Sequence, residues 1–131
     1  MKGTYCLSVN VCKKTNIEIG GLGKVSFKKG DYAYIGSALN GLEKRIERHY
    51  RNRKKKFWHI DFLLANRNST IKKAYFKEST QKIECSVAKE VAKHGQAIQG
   101  FGCSDCRCQS HLFAVKDLSF LNRLGFKEFL R

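Results

Sequence analysis

The 131 residues, 42% hydrophobic and 11% aromatic, are enough for one folded domain with its own core and exclude a disordered chain. A surplus of Lys and Arg (26) over Asp and Glu (11) leaves a formal charge of +15; no fold requires it and self-repulsion opposes it, so a polyanionic partner is expected, nucleic acid before an anionic membrane. No stretch is apolar enough to span a bilayer and no apolar run follows Met1-Lys2, so the expected compartment is the cytoplasm, and the six cysteines read as reduced thiols or metal ligands rather than disulfides.

Residues 3–11 alternate, with Tyr5, Leu7, Val9 and Val11 on one side and Thr4, Cys6, Ser8 and Asn10 on the other, which predicts a strand. A turn follows at 13–16, then a short strand at 17–19, a turn through Gly20, Gly21 and Gly23, and a strand at 24–28. Lys29-Gly30-Asp31 is a turn signal, and 32–37 is a strand rich in aromatic and β-branched residues. Asn40 with Glu43 three residues on has the form of a capping box and predicts a helix over 41–53. Further helices are expected at 58–65, 84–94 (stopped by Gly95) and 120–130, and strands at 71–77, 97–101 and 111–115. There are no repeats and no linker, so residues 1–131 form a single mixed α+β domain: a small antiparallel sheet of three or more strands flanked by helices.

Two helices carry ionisable residues where a plain core would want apolar ones. Leu42, Arg45, Ile46 and His49 share one face of the helix at 41–53. Burying a charge without a partner is expensive, so this face either borders a polar cleft or pairs internally, with Arg45 snorkelling and His49 a satisfied core histidine. Glu84, Val87, Ala88 and Val91 form a stripe on the helix at 84–94, and Glu84 is its one carboxylate. A first-turn Glu can simply suit the helix dipole; it can also hold a metal ion in the same cleft as Arg45 and His49. Phosphodiester cleavage needs such a set: a hard cation on a carboxylate, an Arg for the developing charge, and a base for the attacking water. The phenols of Tyr5 and Tyr34 on neighbouring strands are candidate bases if a cation or hydrogen bond lowers their pKa.

Eight basic residues lie between 44 and 56: Lys44, Arg45, Arg48, Arg51, Arg53, Lys54, Lys55 and Lys56, with His49 and Tyr50 interleaved and Phe57 and Trp58 following. Such a run gives phosphate affinity without sequence specificity, or caps a helix end with cations. Cys103, Cys106 and Cys108 fall with His111 within nine positions. The spacing argues against zinc, because structural zinc sites pair two separated knuckles and here there is one, although Cys85 could join from the helix at 84–94. A loop of buried thiols, or a lining of the cleft by Ser104, Asp105 or His111, are the alternatives.

In this order, Gly3-Thr4-Tyr5, Tyr34-Ile35-Gly36-Ser37, Leu42 with Arg45, His49 and Glu84 make the chain resemble the GIY-YIG nuclease superfamily. More narrowly it is similar to a compact, mostly archaeal family of uncharacterised stand-alone GIY-YIG domains, sharing Trp58-His59-Ile60-Asp61, Glu84-Cys85 and residues 100–112. The resemblance implies a metal-dependent endonuclease hydrolysing phosphodiester bonds in DNA, with DNA repair as the expected setting and one Mg²⁺ or Mn²⁺ on Glu84. It implies Tyr5 as general base or water-positioner, Tyr34 at the phosphate or supporting Tyr5, Arg45 stabilising the transition state and His49 assisting proton transfer. An RNA- or structure-specific nuclease, or a binding module with weak or lost catalysis, are the alternatives; a protein partner is expected to supply specificity. Thr4 replaces the usual Ile, and the late Asn of relatives has no clean equivalent, with Ser104, Asp105 and His111 as stand-ins.

If the basic run binds phosphates, the affinity for duplex DNA falls with salt at a log–log slope of about −0.9 per phosphate neutralised. A filter-binding titration at several salt concentrations measures it; salt-insensitive binding, or none, contradicts the expectation.

Overall fold

The computed structural model describes residues 1–131 except Arg53 and residues 104–106. Its centre is the strand β1 (Gly3–Val11), which lies between β4 (Gly30–Ala38) and β5 (Ser69–Glu78), antiparallel to both. Three more strands, β6 (Gly95–Ala97), β7 (Leu112–Val115) and β8 (Lys127–Glu128), extend it to a six-stranded antiparallel sheet in the order β6-β7-β4-β1-β5-β8. The remaining two, β2 (Thr15–Glu18) and β3 (Lys24–Phe27), form a separate hairpin in the connection from β1 to β4. The domain is thus mixed α+β, as its alternating segments predict.

The period-two pattern of β1 sorts the core into two layers. Tyr5, Leu7, Val9 and Val11 pack with Leu42 and Ile46 of α1 (Leu42–Tyr50), Ile60 and Leu63 of α2 (His59–Leu64), and Ile17 and Phe27 of the hairpin. On the opposite face Cys6 joins Ala33 and Ile35 of β4, Val87, Ala88 and Val91 of α3 (Glu84–Val91), and Phe120, Leu121 and Phe126 of the C-terminal segment. A sheet covered on both faces explains why β1 is buried over nearly its whole length.

Several boundaries differ from the sequence expectation. The helix start belongs to Gly41 in the left-handed region (φ 77), not to Asn40; no side chain caps it, and the Leu42 N–H donates to the Met1 carbonyl instead. The same helix ends at Tyr50 rather than at 53, where Lys54 Nζ donates to the carbonyls of His49 (2.9 Å) and Arg51 (3.0 Å) that a helix end leaves unmatched. The strand expected at 97–101 lies at Gly95–Ala97. No helix closes the chain at 120–130: a 3-10 turn at Ser119–Leu121 leads to Gly125 at φ 88, which breaks any helical run, and Lys127–Glu128 pairs with Tyr75 and Phe76. Phe120, Leu121 and Phe126 of that stretch are buried, but in an irregular segment, and Leu130 is exposed. Among the described residues no helix is long and apolar enough to cross a membrane.

One buried carboxylate locks α1 to α2. Asp61, fully buried, accepts four hydrogen bonds, from Arg48 Nη1 (2.9 Å) and Nη2 (3.0 Å) and from the backbone N–H groups of Phe57 (2.8 Å) and Trp58 (3.0 Å). Burial favours its neutral form, but Arg48 and the two N–H groups outweigh burial and hold it below its ordinary 3.8. The depressed pKa fixes the sign: the stabilisation is complete above about pH 4 and is lost as pH falls below it. Asp61→Ala leaves Arg48 without its partner and is expected to cost about 3–5 kcal/mol in denaturant unfolding at neutral pH, with the difference from the parent shrinking in acid. A cost under about 1 kcal/mol would show that the pair is dispensable.

Candidate active site

The two layers meet at one end of β4. Pairing with β7 stops at Tyr34 and Leu112, after which the Ile35 N–H still reaches the His111 carbonyl at 2.9 Å. Beyond that point β4 is paired only with β1. Side chains from both faces converge there on a cleft of about 450 Å³. Tyr5, Tyr34 and Arg45 line it from the α1 side, Ser37, Lys82 and Glu84 from the α3 side, and Lys56, Phe57 and Trp58 at its rim. Tyr5 and Gly36 are cross-strand neighbours on one face. A Cβ at Gly36 would collide with Cζ and Oη of the Tyr5 ring, so Gly36 is the space in which that ring lies.

Tyr5 Oη is 2.7 Å from His49 Nε2, and both groups are buried. Burial pushes the Tyr5 phenol well above its usual range, and the Arg45 guanidinium pulls against it. Burial also drives His49 down, to about 3, with Asp61 opposing and Lys54, Arg48 and Arg45 adding to the fall. The imidazole is therefore neutral and carries one proton. On Nδ1, which has no partner, that proton would be a buried donor without an acceptor; on Nε2 it points at the Tyr5 oxygen. An unmatched acceptor is cheaper than an unmatched N–H, so His49 donates to Tyr5, and the phenol's own proton faces away from it. His49 does not line the cleft; it stands behind Tyr5. Tyr34, whose pKa burial also raises, stacks edge-on at 6.2 Å from the His49 ring.

Arg45 donates from Nη1 to the Ser37 carbonyl at 3.0 Å and lies over the Trp58 ring, 4.6 Å from its centroid. The ring is shared with Arg48, at 4.5 Å. Glu84 stands opposite. Its Oε1 accepts from Ser37 Oγ (3.2 Å) and pairs with Lys82 Nζ (3.2 Å), and its Oε2 lies 3.5 Å from His111 Nδ1. Burial disfavours the carboxylate, yet the contacts with His111 and Lys82 outweigh it and set its pKa below the ordinary 4.5. An ionised carboxylate beside a hydroxyl, with room for water and a phosphate, suits a hard divalent cation that takes one protein carboxylate. Lys82, whose side chain is 53% exposed, now supplies the positive charge there.

The cationic run divides. Lys44, Arg51, Lys55 and Lys56 are exposed. Arg48 is committed to Asp61 and to the Lys55 carbonyl (2.9 Å), and Lys54 to the end of α1. Both were expected to meet nucleic acid, and both are engaged by contacts within the fold. Arg53 lies outside the described residues, as do Ser104, Asp105 and Cys106. His111 sits behind Glu84 rather than in the cleft. The cysteine grouping also changes: Cys103 Sγ donates to the Phe101 carbonyl at 3.5 Å, while Cys108 comes together with Cys85 and His111, whose ligand atoms lie within 4.8 Å of one another and could hold a metal ion. The sequence reading missed Lys82 and the double role of Ser37. A Lys two residues before a cleft carboxylate was the one available signal.

A family profile described as "Domain of unknown function DUF123" matches residues 4–127. The chain belongs to that family. No curated protein and no solved structure matches it. The match spans both motif strands and α3, so the elements that build the cleft all fall within the family's common domain.

Because the folded state keeps His49 neutral down to about 3 while an unfolded histidine titrates near 6.5, only the unfolded chain takes up that proton between the two values. Stability is therefore full above about pH 6.5 and falls as the pH drops toward 3. His59, which burial also lowers, contributes in the same direction. His49→Gln is expected to flatten the decline between pH 6.5 and 4 in denaturant titrations; an unchanged slope would mean that His49 is not held neutral.

Proposed function

We propose that the cleft hydrolyses phosphodiester bonds in nucleic acid, DNA in the first instance, with a divalent cation, Mg²⁺ or Mn²⁺, on Glu84. The observation that carries this reading is the facing arrangement, in one basic-rimmed cleft, of an ionised carboxylate and an Arg-flanked phenol backed by a buried imidazole. Tyr5 receives the hydrogen bond of the His49 Nε2–H and the field of Arg45; both favour the phenolate, but burial outweighs them and holds the phenol well above its usual range. A cation on Glu84 would cancel the carboxylate charge that also raises it and so favour the phenolate. In that form Oη takes the proton of a water that attacks phosphorus. The bond from phosphorus to the leaving oxygen breaks, and that oxygen takes its proton from solvent. Arg45, anchored by the Ser37 carbonyl and the Trp58 face, holds its remaining donors toward the cleft, where charge builds on the non-bridging oxygens. Tyr34 borders the same space and positions the phosphate. A hard cation on Glu84, bound in place of Lys82, would supply charge neutralisation at the scissile phosphate.

Lys56 and the exposed Phe57 and Trp58 at the rim add phosphate contact and a stacking surface. Phe57, 67% exposed, favours a substrate with an unpaired base beside the cut, which makes a structure-specific nuclease the second reading.

Wild-type protein and Glu84→Ala, incubated with labelled DNA and RNA with and without Mn²⁺, separate the readings. Cleavage that requires Mn²⁺ and is lost in the variant while binding persists is the expected result. Equal behaviour of both proteins, with binding and no cleavage, would make the domain a binding module.

A further inference from the structure

We propose that Cys85, Cys108 and His111 bind one zinc ion, and that this ion fixes the loop before β7 to α3 and, through His111, steadies Glu84. The three ligands come from separate places in the chain: Cys85 from the first turn of α3, Cys108 from the loop, and His111 from the residue that precedes β7. Cys85 Sγ and His111 Nε2 are 3.9 Å apart, and all three ligand atoms lie within 4.8 Å of one another. A tetrahedral site with Zn–S near 2.3 Å places its donor atoms roughly 3.5–3.8 Å apart. Closing onto an ion thus needs movements of less than an ångström.

The tautomer of His111 is already that of a ligand. Its Nδ1 faces the Ile35 carbonyl at 3.2 Å and the Glu84 carboxylate at 3.5 Å. Both are acceptors, so Nδ1 carries the proton and Nε2 turns a lone pair toward the two sulfurs. A metal-ligating imidazole that donates its other N–H to a carbonyl or carboxylate is the usual support for such a site. Two thiolates and an imidazole select a borderline-soft ion and disfavour Mg²⁺. Three donors among the described residues leave one tetrahedral position for a further ligand. The site is separate from the cleft: Glu84 Oε1 looks toward Ser37 and Lys82, and Oε2 toward His111. The hard-cation reading of the cleft and the zinc reading behind it can therefore fail independently.

The test is metal content, with no need for cleavage. Protein refolded with excess Zn²⁺ and desalted is expected to retain one equivalent, released on modification of its thiols. Cys85→Ser and Cys108→Ser are expected to lose it, while Cys12→Ser, at an exposed cysteine just past the end of β1, retains it. Wild type loaded with Co²⁺ is expected to show thiolate-to-cobalt charge transfer and the intense visible bands of a tetrahedral ion, which tests the site even if a variant fails to fold. No retained zinc, an octahedral cobalt spectrum, or full zinc content in a folded Cys108→Ser would each overturn the proposal.

Discussion

The Tyr5 ring lies in the space where Gly36 has no side chain, and its hydroxyl ends on His49. That arrangement ties three elements together: β1 supplies the ring, β4 the gap, and α1 the imidazole. Move any one of them and the phenol loses either its bed or its partner. The rest of the domain reads as support for this contact. Leu42 and Ile46 seat α1 on the sheet, so that His49 reaches Tyr5 from below and Arg45 reaches the cleft from the side. Asp61 pins Arg48 and thereby fixes α1 against the start of α2, where Trp58 backs Arg45.

The second layer matters for the same reason. Glu84 belongs to the face opposite Tyr5, and a sheet ordinarily keeps its two faces apart. They meet because β7 begins only at Leu112, opposite Tyr34, and leaves the last residues of β4 uncovered on one side. Around that open edge a carboxylate from α3 and a phenol from β1 share one cavity. Topology, more than any single side chain, decides where the chemistry can occur.

Much of this was legible in the residues. The alternation of β1, the stripe Leu42, Arg45, Ile46 and His49, and the one carboxylate of the stripe Glu84, Val87, Ala88 and Val91 are local signals of period two or 3.6, and each survives in the structure. What the pattern could not give is partnership across the chain. Arg48 and Lys54 look like phosphate binders in a basic run, yet one answers Asp61 and the other the end of α1, contacts set only by the packing of α1 on α2. Phe120, Leu121 and Leu124 have helical spacing, but Gly125 and the edge of β5 draw that segment into a turn and a short strand. Cys108 joins Cys85 and His111 rather than its nearest sequence neighbours, because the loop folds back on α3.

The central claim is that the Tyr5 oxygen, as phenolate, takes a proton from the attacking water during phosphodiester hydrolysis. Single-turnover cleavage of a labelled duplex in Mn²⁺ by wild type and by Tyr5→Phe tests it most directly, since Phe keeps the ring on Gly36 and removes only the oxygen. The account predicts a rate lower by about 10²–10⁴-fold in Tyr5→Phe with duplex affinity unchanged. An equal rate in the two proteins would contradict it.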